Sequence, residues 1–173
     1  YQHIAQQKGV KWTIPISLGD SHRGFRVMGT SRDYFSVYQY GEKRTLKFTS
    51  GKQFEAVFDA VIGSEVAKTL NYSIGDQVII SHGTGSASFT QHKDKPFVIS
   101  GILEHTGTPV DRTVHVSLAG IEAMHVNWNG AVKKRKTSKV VTESNLQPES
   151  ITAFLVGLDS KIVSFKMQRY IND

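Results

Sequence analysis

The sequence predicts an α+β fold, with short β–α pieces at its two ends and a mostly β segment carrying small helices between them. Three stretches predict it. Residues Asp59-Ala-Val-Ile-Gly-Ser-Glu-Val-Ala-Lys-Thr-Leu-Asn-Tyr-Ser-Ile-Gly-Asp-Gln-Val-Ile-Ile-Ser81 read as strand, glycine, short helix, Gly-Asp turn and strand. Near the start, Val10, Trp12, Ile14 and Ile16 alternate with polar or turn residues, the period-2 pattern of a strand with one buried face. Near the end, the apolar run Ile151-Thr-Ala-Phe-Leu-Val-Gly157 leads into a helix with more than one apolar face.

Tyr1 to Lys8 is polar around Ile4 and Ala5 and reads as the last two turns of a helix ended by Gly9. In the first strand, Pro15 cannot donate to a ladder, which argues for an edge or irregular position. Leu18 to Gly24 reads as a turn-rich hairpin connection, with Phe25-Arg-Val-Met-Gly29 returning as a second strand. Thr30 or Ser31 is placed to cap a short helix through Asp33, Tyr34 and Phe35. Tyr38 to Gly51 reads as a connection leading to a small strand or turn.

In the central stretch, Ser64 is expected to cap a helix whose buried face carries Val66, Ala67 and Leu70, with Glu65 at the positive end of the helix dipole. Gln77 to Ser81 then continues as a strand. Gly83 to Ser88 is a glycine and serine loop, and Pro96 to Leu103 is an apolar strand kinked at Gly101. Thr113 to Val116 forms another strand, and Ser117 caps a helix over Leu118 to Val126. Asn127 to Pro148 has little periodicity, and a loop of that length within a domain is usually functional or mobile. Leu158-Asp-Ser160 starts a last helix that runs to Asp173. Both ends therefore lie inside helices, which suggests a fragment cut from a longer protein.

Composition narrows the functional classes. The 173 residues are 39% hydrophobic and 21% charged, which suits a folded domain or two small ones. No apolar run approaches the roughly 20 residues that span a bilayer, and no signal peptide opens the chain. Cysteine is absent, which removes disulfides, thiolate metal sites and a cysteine nucleophile. The net charge of +6 favours anionic partners. Five of the positive charges, however, stand in one segment at Lys133, Lys134, Arg135, Lys136 and Lys139, and the remaining chain is close to neutral.

No constellation for covalent chemistry is visible. The seven histidines, at 3, 22, 82, 92, 105, 115 and 125, show no HExxH, HxH or HxxxH spacing, so no metal site and no cofactor are expected. Gly83-Thr-Gly-Ser-Ala-Ser88 lacks the Gly-Lys-Ser/Thr ending of a phosphate loop. Gly63-Ser-Glu65 is not GxSxG. The candidate partner-binding residues are Trp128, which opens the long loop, and the cluster Lys133, Lys134, Arg135 and Lys136. No aromatic interleaves with that cluster as a single-strand binder requires.

Three stretches together resemble the extracytoplasmic core domain of MacB/FtsX-type ABC transporter permeases. They are Arg26-Val-Met-Gly-Thr-Ser-Arg-Asp-Tyr-Phe35, Ala60-Val-Ile-Gly-Ser-Glu-Val-Ala-Lys-Thr-Leu-Asn-Tyr-Ser-Ile-Gly-Asp-Gln-Val78 and Phe97-Val-Ile-Ser-Gly-Ile-Leu-Glu104, in the family's order. The resemblance implies a porter-like β–α unit built from residues 1–46 and 148–173, and an inserted barrel-like, sabre-type β-rich unit over 47–147 that contains the lysine-rich loop 129–148. It implies a domain lying between two membrane helices of a permease in the bacterial inner membrane and facing the periplasm or cell exterior. It further implies work as a homo- or heterodimer with a cytoplasmic ATPase, on a periplasmic protein, peptide or lipoprotein substrate, and no enzymatic activity. No nucleic acid is expected as partner. The competing reading is a basic β-barrel module that binds nucleic acid or other polyanions. The lysine-rich loop and the absence of a recognisable hook-like element depart from the family pattern.

Overall fold

The computed structural model describes residues 2–82, 95–125, 148 and 150–172. In chain order the elements are α1 (Gln2–Ala5), β1 (Val10–His22), β2 (Phe25–Thr30), α2 (Tyr34–Val37), β3 (Gln39–Tyr40), β4 (Arg44–Thr45), β5 (Phe48–Gly51), β6 (Asp59–Ile62), α3 (Ser64–Leu70), β7 (Gln77–Val78), β8 (Ser81–His82), β9 (Phe97–Leu103), a 3-10 turn (Pro109–Arg112), β10 (Thr113–Ser117), α4 (Leu118–His125), β11 (Ala153–Leu158) and α5 (Lys161–Asn172). The fold is α+β, as the sequence predicts.

Its frame is one mixed sheet in the order β11-β1-β2-β10-β6-β9-β5. The pairs β2/β10 and β6/β9 are parallel and the others antiparallel. β7 adds to β9, and β8 adds to β1. Pairing thus passes from β1 round to β9 and returns towards β1 through residues 77–82. The ladder is interrupted at Ile79 and Ile80, so no closed barrel forms among the described residues. The single strand expected over Gln77 to Ser81 is two short pieces serving two different neighbours.

Alternation of side chains across a strand divides the core in two. Val27, Ala60, Ile62, Val114 and Val116 face one side, where Val66 of α3, Ile121 and Met124 of α4, Val78 and Ile80 cover them. Met28 and Val61 face the other side and pack with Ile14, Tyr34, Phe35, Leu46, Phe54 and Val110. β6 and β10 are covered on both faces, which is why they read as apolar runs without alternation. Each fully buried side chain of this kind contributes about 2 kcal/mol before entropy is counted.

Several local expectations change. β1 continues to His22, and the hairpin connection shrinks to Arg23-Gly24, both at positive φ (46° and 83°). That is the geometry of a two-residue turn whose twist matches the strands. Pro15 is not at an edge: it is paired with Phe154 of β11. The neighbouring Ile16 carbonyl accepts from Thr152, so Pro15 points the opposite way, just past the end of β2, and no ladder bond is lost there. The Thr30 hydroxyl, expected to cap α2, donates to the Pro15 carbonyl instead, and Asp33 is the N-cap residue. Gly63 rather than Ser64 is the N-cap of α3, with no side-chain cap bond. Ser117 does accept from the Gly120 N–H at 2.8 Å, as a cap for α4.

Candidate functional site

The first feature is the meeting of α1 and α5. Val10 pairs with Leu158, so the strand that follows α1 and the strand that precedes α5 bring both helices to the same end of the sheet. Gly9, at φ +92°, lets Val163 approach so closely that a Cβ at position 9 would lie 2.7 Å from it. The Gly9 carbonyl accepts from the Asp159 N–H at 2.9 Å, and Gln7 donates through Nε2 to the Tyr170 hydroxyl at 3.2 Å. The same hydroxyl bonds His3, and Lys11 lies 3.7 Å from Asp159 in an exposed ion pair. Met167 is the buried anchor of α5, whereas Ile162 and Phe165 are each 72% exposed.

The second feature lies at the start of α3. A Cβ on Gly63 would fall 2.2 Å from the Val110 carbonyl oxygen and 2.4 Å from that of Asp111. Glycine therefore lets the 3-10 turn press directly on the helix start. Asp111, almost fully buried, accepts from the N–H and hydroxyl of Thr106 and the N–H of Gly107. Burial works against its charge, but these bonds and nearby His105 outweigh it, so its pKa is lowered. His105 Nδ1 sits 3.0 Å from Asp111 and 3.3 Å from the Ser64 hydroxyl.

Serine, histidine and aspartate are thus together, yet the geometry is wrong for a nucleophilic relay. A relay needs one ring nitrogen to take the serine proton while the other is held by the carboxylate. Here both contacts converge on Nδ1. The cluster instead ties the residue 105–111 loop to α3. Sequence spacing gave no sign of it, because Ser64 lies some forty residues before the loop that carries His105 and Asp111.

Two buried histidines complete the polar interior. His22 bonds the Ile79 carbonyl through Nδ1 (2.7 Å) and the Tyr72 hydroxyl through Nε2 (2.9 Å), which fastens β1 to the broken strand. Burial lowers its pKa, the Ile79 carbonyl opposes this, and Arg23 adds to the lowering. His115 of β10 is fully buried against Tyr34 and Phe35. Its Nδ1 is 3.2 Å from the Val61 carbonyl, and its Nε2 has no partner among the described residues. Burial pushes its pKa down to about 4, against the raising effect of that carbonyl. The same burial, with a smaller contribution from Tyr38, pushes Tyr34 upward.

Of the expected partner-binding residues, Trp128, Lys133, Lys134, Arg135 and Lys136 all lie outside the described residues. No group of three or more potential metal ligands occurs among the described residues. No helix among them is long and apolar enough to cross a membrane.

The fold is shared with extracytoplasmic transporter domains of known structure. One is the extracellular domain of the noncanonic ABC-type transporter YknZ from Gram-positive bacteria, at TM-score 0.55 and 13% identity, covering 95% of this chain and 74% of that one. Another is the periplasmic region of MacB from Actinobacillus actinomycetemcomitans, at TM-score 0.56 and 13% identity, covering 98% and 69%. At such identity the likeness establishes the fold. No curated protein sequence gives a significant match. The sequence profile of the MacB-like periplasmic core domain matches residues 1–156, and the chain belongs to that family. The resemblance carried by the three sequence stretches is thereby borne out.

Proposed function

We propose that the chain is the extracytoplasmic domain of a MacB/FtsX-type ABC transporter permease and that it does no covalent chemistry. In this reading it lies outside the bacterial inner membrane and passes the work of a cytoplasmic ATPase to a substrate or partner. The observation that carries it, beside the family match, is the α1–α5 pair. Two helices from opposite ends of the chain are fastened together and lead directly into β1 and β11. A displacement of that pair would enter the sheet at its β11–β1 edge. The permease would act as a homo- or heterodimer, with residues 1–46 and 148–173 as the porter-like part and 47–147 as the barrel-like, sabre-type insert. Trp128 and the basic residues Lys133, Lys134, Arg135 and Lys136 are the proposed contact for a periplasmic protein, peptide or lipoprotein.

Expression of the full reading frame, followed by protease treatment of intact spheroplasts, tests the placement. Cleavage within this segment, with the protein in the membrane fraction, is the expected result. A protein recovered in the soluble fraction and protected until lysis would sink the proposal.

A further inference from the structure

We infer that the outer face of α5 lies on an anionic phospholipid surface. The helix carries more than one apolar face, and contacts within the fold account for only one of them. Val163, Met167 and Tyr170, at i, i+4 and i+7, turn inward. Val163 packs on Gly9, Met167 is buried, and the Tyr170 hydroxyl meets Gln7 and His3. Ile162, Phe165 and Arg169, at i, i+3 and i+7, share a second face, which points to solvent. Ile162 and Phe165 are each 72% exposed there. Two large apolar side chains held in water one turn apart form a patch that the fold itself does not use.

Charge decides what covers the patch. Lys161, Lys166 and Arg169 border it, and α5 holds no acidic residue from Lys161 to Asn172. α1 adds none, and Lys8 joins Lys166 in lining a cleft of about 460 Å³ between the two helices. Asp159, the carboxylate that lines this cleft, is paired with Lys11. A second copy docked here about a two-fold axis would set cation against cation. The patch is also narrow, whereas a stable protein interface buries roughly 800 Å² on each side. A bilayer needs no matching shape. Apolar side chains at the centre, cations at the rim and no acid suit a helix lying among lipid headgroups, with Ile162 and Phe165 towards the acyl chains and the cations on the phosphates. The inference goes beyond the permease reading and fails separately from it, since a chain can face the outside of a membrane without α5 touching lipid.

The test titrates the Trp128→Phe chain, with and without Phe165→Trp, with vesicles of phosphatidylglycerol or of phosphatidylcholine. On phosphatidylglycerol the emission of the introduced indole should shift to the blue and saturate, and lipids brominated along their acyl chains should quench it. About tenfold more phosphatidylcholine should be needed for the same shift. K161Q/R169Q, altered only at exposed positions, should weaken partition about tenfold, and Ile162→Ser about fivefold. The inference is overturned if no shift occurs, if the two lipids act equally, or if either variant binds as tightly as its parent. Vesicle binding that leaves the indole unquenched overturns it too, and assigns the lipid contact to another part of the chain. So does an equal shift with polyglutamate, which assigns an acidic protein partner, or a shift with protein concentration alone, which assigns a second copy.

Discussion

Gly63 and Gly24 show two different reasons for a glycine. Gly63 has ordinary extended backbone (φ −71°), but two carbonyl oxygens stand where a Cβ would go. Gly24 has open space around it and a φ of +83°. Gly63→Ala should therefore cost about 3 kcal/mol, because backbone must move, and Gly24→Ala about 1 kcal/mol, the strain of a left-handed alanine. Urea unfolding of both variants measures the difference, and equal costs would contradict the close packing of the 3-10 turn on α3. His115 sets a pH dependence of definite sign. As pH falls below about 6.5 the unfolded chain takes up a proton, whereas the folded ring resists until about 4. The stability present above pH 6.5 is therefore lost progressively between those two values, at about 1.4 kcal/mol per unit. His22, also lowered, acts in the same direction. Unfolding at about pH 7 and about pH 5 should show the loss, and His115→Phe should flatten it. An undiminished loss in that variant would assign the acid sensitivity to other groups.

Among the longer helices, α5 is held most lightly. Met167 is buried and Val163 packs on Gly9, while Ile162, Phe165 and Ile171 are more than half exposed. Its amides should exchange hydrogen faster than those of β6 and β10, which are covered on both faces. Met167→Ala should speed exchange in α5 without changing the exchange of the central strands. Equal protection of α5 and β10 in the parent chain would show that the helix opens only with the whole fold. The same contrast explains what could be read in advance. Strands with a strong apolar signal, such as Phe97–Leu103 and Thr113–Ser117, and the helix Ser64–Leu70 were legible because local pattern and burial agree. Leu18–His22 was not, because Gly19 and Asp20 look like a turn. The structure absorbs them as an irregularity in register, with Gly19 at φ +138°. Ser64 misled as a cap because its hydroxyl is drawn to His105, forty-one residues away. His115 left only a trace, a polar residue between Val114 and Val116. Its neighbours come from β6 and α2, and no local spacing records them.

On the scale of the molecule, the division at residues 46/47 runs through shared material. One hydrophobic cluster joins Phe25 and Val27 to Ala60, Ile99 and Val114. The other joins Ile14, Met28, Tyr34 and Leu46 to Phe54, Val61, Leu103 and Val110. Between them runs the parallel β2–β10 ladder, Arg26–Thr30 against Thr113–Ser117. Removing either part would expose apolar surface on both faces of the sheet at once, and neither would keep a closed core. The two parts are then topological neighbours, and the chain should unfold in one cooperative step. In a Trp128→Phe background, Trp12 fluorescence reports β1 and far-UV circular dichroism reports the whole chain, so their urea transitions should coincide. A segment limited to residues 47–147 should show no cooperative melt, since it lacks Val27 and Met28 from the two faces of β2. Separated transitions, or a cooperative melt of the 47–147 piece, would mean that the insert folds by itself and that β2–β10 pairing is a docking contact.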